Sequence, residues 1–166
     1  MAPDTTEPVN STPPGRHGGN VDLKLLGAGS TFYLPVEVDG ALLYVGDPHF
    51  AQGNGEVCLT ALEGSLRIDL RPSVVRGREA ARAVGVLREP FAEDEQHWVP
   101  IGLHQDLDEA MRRAVRAALR FLEGRFGMPR HLAYAYLSAA ADFEITQVVD
   151  GVQGVHCRIR KSDFRT

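Results

Sequence analysis

Residues 106–129 read DLDEAMRRAVRAALRFLEGRFGMP, and the change of period that occurs there decides the fold. Asp106 followed by Glu109 is an N-cap acid with a glutamate three residues on, an arrangement that satisfies the free amides of a helix start. A helix is therefore expected from about Leu107. Leu107, Met111, Val115, Ala118, Leu119, Leu122 and Phe126 recur at helical spacing, whereas Arg112, Arg113, Arg116, Arg120 and Glu123 take the other faces, which predicts one buried stripe against a sheet. Gly127 stops the helix and Pro129 reinforces the stop. Leu132–Ala141 reads as a second, shorter helix, small and apolar enough to pack closely inside the protein.

On both sides of this helical pair the period is two. Upstream, Thr31–Val38 and Ala41–Val45 flank Asp39-Gly40 and predict a hairpin, with Pro35 placing its first strand at an edge or a bulge. Val57–Leu62 and the alternating Leu66–Arg71 are further expected strands, joined through Glu63-Gly64-Ser65. The arginine-rich stretch from Arg76 to Arg82 reads as a solvated loop or strand edge. Ala83–Leu87 and Trp98–Leu103 read as strands separated by the acidic loop Glu93-Asp94-Glu95. Downstream, Phe143–Val149 and Val155–Ile159 flank the turn signal Asp150-Gly151. The expected class is α+β: β-rich with antiparallel sheets and hairpins over 17–104, then ααββ over 105–160, a helical hairpin followed by a final β-hairpin. Residues 1–16 carry four of the ten prolines and little that is large and apolar. They read as a flexible Pro-rich arm, either a lead-in or a strap over a partner.

Composition narrows the function classes. With 43% hydrophobic and 24% charged residues the chain is not a disordered one, and a net charge of −4 gives no general attraction for nucleic acid or an anionic membrane. No apolar run approaches the ~20 residues that span a bilayer. The two cysteines form no CxxC and no secretory leader is evident, so a cytoplasmic protein with reduced thiols is expected. Cys58 reads as a small buried hydrophobe rather than a nucleophile. His97 and His104 read as structural histidines; His131 and His156 carry no pattern. The Gly-x-Ser-x-Gly elbow, the P-loop and the dinucleotide fingerprint are absent.

What remains is residues 46–57, GDPHFAQGNGEV, where several candidate ligands converge. Asp47 and His49 stand two apart, so in extended backbone both point to one face. Gly53-Asn54-Gly55 permits a tight reversal that brings Glu56 back beside them. One imidazole and two carboxylates suit zinc or another divalent cation, which would polarise a carbonyl and acidify a water for amide hydrolysis. An ordinary hairpin turn with a solvated polar tip reads the same residues equally well. Nearby, Asn20 and Asp22 could line a site or simply form turns.

These blocks together resemble the acetamidase/formamidase family of amide hydrolases. The resemblance runs through Gly18-Gly19-Asn20-Val21-Asp22, Tyr33-Leu34-Pro35-Val36, Val45 to Val57, Leu137 to Asp150, and Gly154-Val155-His156. Pro48 stands where the family's Gly-Asp-Gly-His version has glycine. Family members are about twice as long, and their N-terminal half has no counterpart here. The resemblance implies hydrolysis of a short linear amide such as formamide or acetamide at a metal-associated site formed between two halves, with zinc ahead of calcium as the metal. It makes Asp47 and His49 metal ligands and Glu56 a third ligand or the general base. Asn20, Asp22, Asp142 and Gln147 would stand behind these groups or face the substrate. It further implies a companion chain carrying the N-terminal half, or a homo-oligomer; the alternative is a non-catalytic metal-binding or interaction module that retains the half-fold.

Overall fold

The computed structural model describes residues 1–164. Its centre is a five-stranded antiparallel sheet in the order β1, β4, β5, β7, β6. These strands are β1 Thr31–Tyr33, β4 Phe91–Glu93, β5 His97–His104, β6 Asp142–Gln147 and β7 Gln153–Arg160. A separate two-stranded ribbon joins β2 His49–Ala51 to β3 Leu62–Glu63. Three helices, α1 Gly77–Val84, α2 Leu107–Phe126 and α3 Arg130–Ala140, complete the α+β fold. Among the described residues no helix is long and apolar enough to cross a membrane.

Strand β5 is buried on both faces, which explains its unbroken apolar run. Trp98 packs toward α2 with Phe91, Phe121, Leu122 and Ile159, while Val99, Ile101 and Leu103 point the other way against Leu23 and Ala92. That second face is covered by the irregular segment around Val21, Leu23 and Leu25. Asp22, between the two apolar anchors Val21 and Leu23, is thereby aimed elsewhere, and it matters below.

The helix start at Leu107 and its stop at Gly127 agree with expectation. Asp106 Oδ1 accepts from Glu109 N at 2.8 Å, and Gly127 takes the left-handed conformation at φ 62°. Asp106→Ala is expected to cost ~1 kcal/mol, read as a melting temperature lower by about 2–4 °C. The buried stripe is shifted from the expected one: Ala110, Ala114, Ala118, Leu119, Phe121 and Leu122 are buried, while Met111 and Phe126 are partly open to solvent. Small residues face the sheet because β5 presents Gly102 there, and the two backbones touch. α3 buries only Ala133 and Leu137, so it lies on the surface and not inside.

The N-terminal two-thirds differs more. The Thr31–Val45 hairpin does not form: Thr31–Tyr33 pairs instead with β4, in the register Tyr33↔Phe91, ending two residues before Pro35. Asp39-Gly40 does turn the chain, with Ala41 N donating to Val38 O, but residues 41–45 lie outside any strand and 42–45 are exposed. The arginine-rich stretch is helix α1, which also takes up the first part of the strand expected at Ala83–Leu87. Only Leu62 of Val57–Leu62 is in a strand, and Leu66–Arg71 lies outside any strand. Cys58 is exposed; Cys157 is the buried thiol.

Candidate metal centre

The glycine turn is pinned to the end of β6. Gly55 N donates to Thr146 O at 3.1 Å and Val148 N donates to Gly55 O at 2.9 Å, forming a bridge between Gly55 and Gln147. Three residues around it hold positive φ without being glycine: Asp47 at 58°, Glu56 at 43° and Asp150 at 64°. Such backbone costs ~1–3 kcal/mol each and persists where surrounding structure over-determines it, most often at functional sites.

The reversal brings Glu56 to His49, with Asp47 on the opposite side of the ring. Asp47 Oδ1 lies 3.4 Å from His49 Nε2, and Glu56 Oε1 lies 4.0 Å from His49 Nδ1. Glu63, read from sequence only as a connector, stands 3.9 Å from the same Nε2 because β3 pairs His49 with it. Asp150, read only as a turn former, joins Asp22 and Glu56 in a second group. Among the described residues three sets have candidate ligand atoms within 4.8 Å of one another: Asp22, Asp47 and His49; His49, Glu56 and Glu63; and Asp22, Glu56 and Asp150.

Gln52 sets the imidazole tautomer. Its Nε2 donates to the Asp22 carbonyl, so its Oε1 must accept, and His49 Nδ1 donates to it at 3.1 Å. Nδ1 therefore carries the proton and Nε2 the lone pair. That buried Nε2 has no hydrogen-bond partner. Asp47 and Glu63 approach it, Asp22 and Glu56 group with the same imidazole, Asp150 groups in turn with Asp22 and Glu56, and among the described residues no lysine or arginine pairs with any of the five. An orphaned ring nitrogen among uncompensated carboxylates fits a divalent cation.

Gln147 organises the back of the site. Fully buried, it accepts from Asp22 N at 3.1 Å through Oε1, and its Nε2 donates to Asp22 Oδ2 and Asp150 Oδ2 at 2.9 Å each and to Asn20 O at 3.2 Å. Asn20 contributes that carbonyl, whereas its amide turns away to Thr12 O. Asp142 begins β6 while Gln147 ends it. Five residues of strand put it about 17 Å away, so it does not join the cluster. On its open side the site reaches solvent through a depression lined by Asp47, Pro48, Glu63, Gly64 and Ser65.

Burial, and after it the neighbouring Glu56 and Asp150, pushes the Asp22 carboxyl up to about 9 from 3.8. The folded, metal-free protein thus keeps a proton that the unfolded chain releases, and stability falls as pH rises from 3.8 toward 9. His156 acts oppositely: burial holds it down at about 4 against the pull of Glu144, so stability falls as pH drops from 6.5 to 4. The two slopes oppose each other below 6.5; above it the Asp22 slope is opposed, up to 8.0, by that of the Met1 amine, whose pKa burial lowers. Denaturation of metal-free protein should show stability declining between pH 8.0 and 9. Asp22→Asn should abolish that decline and raise the melting temperature near pH 8 by about 2–4 °C, the equivalent of ~1 kcal/mol. A wild-type profile that is flat in this window would show Asp22 to be ionised.

The sequence matches the Acetamidase/Formamidase family over residues 4–159. A formamidase of Methylophilus methylotrophus is 29% identical over 167 aligned residues, covering 87% of this chain and 39% of that protein. The solved acetamidase from Bacillus halodurans superposes with a TM-score of 0.76 at 31% identity, over 95% of this chain and 51% of its own. The acetamidase from Yersinia enterocolitica gives 0.78 at 28% identity, over 95% and 46%. The chain spans about half the length of these solved relatives, and less of the formamidase.

Proposed function

The chain belongs to the acetamidase/formamidase family, and on that premise we propose that it supplies the C-terminal half of a hydrolase that cleaves short linear amides, such as formamide or acetamide, at a divalent-cation site. The observation that carries this reading is the His49 imidazole, held by Gln52 with a buried Nε2 that has no hydrogen-bond partner, beside Asp47 and Glu63 and in a cluster of carboxyl groups without a counter-cation. His49 would hold the cation at the open side with Asp47, which groups with it and Asp22, or with Glu63, which groups with it and Glu56, and zinc stands ahead of calcium given the imidazole donor. When bound, such an ion polarises a carbonyl oxygen and acidifies a water.

The chain's own residues supply the rest. Glu56, with a side chain only 4% exposed, is placed to take a proton from the attacking water. Asp22, whose carboxyl burial holds protonated in the metal-free protein, would stand beside it to give a proton where nitrogen leaves as ammonia. Gln147 keeps Asp22 and Asp150 in register, and the strained turn keeps Asp47 and Glu56 converging. Asp47 and Glu63, 53% and 42% exposed, leave one side open. Substrate enclosure then falls to polypeptide beyond these residues, in a companion chain or a second copy. The half-length match also suits the alternative of a metal-binding module without activity.

Elemental analysis of the purified protein is expected to find close to one zinc or calcium per chain, falling to background in His49→Ala. An unchanged metal content would sink the ligand assignment. Formamide hydrolysis, assayed on the chain with and without its partner polypeptide, separates the enzyme from the inactive module.

A further inference from the structure

Residues 65–75 form no regular secondary structure, and among the described residues none of their backbone amides or carbonyls makes a backbone hydrogen bond. Leu66, Ile68 and Leu70 alternate in sequence with Arg67, Asp69 and Arg71, the pattern that puts the two sets on opposite sides of a strand, and all six are exposed. Ile68 is 60% exposed, and Tyr44 and Val57, on the same stretch of chain between β1 and α1, are 75% and 81% exposed. A strand with an open ladder of donors and acceptors is a template for pairing, and contiguous apolar side chains in water mark a face that is covered in the working protein.

We propose that residues 65–71 form a docking strand for the half of the family fold that this chain lacks, added by β-augmentation with Leu66, Ile68 and Leu70 buried beneath it. The inference rests on the reading of the chain as half of a family enzyme. Three observations select that occupant. The solved relatives cover 95% of this chain yet carry about as much polypeptide again, enough for a body with its own core. The docking strand follows directly from β3, whose Glu63 stands at the open side of the metal site, so a body seated on it also closes that side. A second copy is the poorer fit. Antiparallel self-pairing about Ile68 would match Arg67 with Asp69 of the other copy, but it would satisfy only the backbone ladder and leave Leu66, Ile68 and Leu70 in water.

The test tags the chain at its own chromosomal position and purifies it under native conditions, with mass spectrometry and hydrogen exchange as readouts. Support is a family polypeptide covering the missing half, at one copy per chain or continuous with it, together with amides 65–71 exchanging at least ~100-fold slower than in the isolated chain. The double variant Ile68→Asp and Leu70→Asp should lose the partner, or its ordered docking, while circular dichroism of the isolated chain stays unchanged, since neither side chain contacts the core. An 18.1 kDa monomer, a homodimer, a partner from another family, or protection confined to other residues would overturn the proposal. Metal content and formamide hydrolysis are read on the same material. A docked but inactive assembly retains the interface and sinks the catalytic reading, whereas hydrolysis by the lone chain does the reverse.

Discussion

Gly102→Ala is expected to lower the unfolding free energy by about 3 kcal/mol or more, at the upper end of overpacking effects. A Cβ built on Gly102 falls inside the contact distance of Ala114 N and Ala110 O, and within 2.9 Å of Arg113 C. All three are backbone atoms of α2, so no rotamer change relieves the clash; the helix must move off the sheet. Ala110, Ala114 and Ala118 are wholly buried and match the close approach from the helix side. Moving α2 outward also loosens Phe121, whose ring centroid is 5.1 Å from Phe91 and 5.3 Å from Trp98. Against a total stability of roughly 5–15 kcal/mol for a domain, a loss of that size should appear as a melting temperature lower by ~6–12 °C or as insoluble protein. A denaturant midpoint within experimental error of wild type would show that α2 rides higher on β5 than described.

Where the sequence carries local chemistry it could be read. The Asp106 cap, the Gly127 stop and the Asp150-Gly151 turn lie within a residue of where spacing puts them, because each depends on a hydrogen bond or a φ value made by neighbours in the chain. The β-rich part resists such reading, since pairing depends on partners far away. Thr31–Tyr33 chose Phe91–Glu93 over the nearby Ala41–Val45, and Leu66–Arg71 has the pattern of a strand with no strand beside it. The missed α1 is a case of composition masking period, its arginines resembling a solvated loop. At the site, Asp47, His49 and Glu56 were legible from the spacing of one turn. Glu63 and Asp150 were not, because only the β2–β3 register and the Gly55–Gln147 bridge bring them in. Asp22 and Gln147 were singled out through the family resemblance, and the proton they hold could only be inferred once burial was known.

Glu56→Gln should separate proton transfer from metal holding. His49 offers its lone pair at Nε2, the side on which Asp47 and Glu63 stand at 3.4 and 3.9 Å, whereas the Glu56 contact is to Nδ1, already engaged by Gln52. Glu56 is therefore the carboxylate least aligned with the vacant nitrogen and most enclosed, beside the protonated Asp22. A general base in that position contributes about 10²–10⁴-fold to rate. In the assembly that hydrolyses formamide, Glu56→Gln is expected to lower kcat by that factor while metal content and KM change little, and Asp47→Asn to lower metal content and kcat together. Loss of metal from Glu56→Gln would instead make Glu56 a ligand. The base would then fall to another carboxylate of the cluster, with Asp150, which groups with Glu56 and Asp22, next in line.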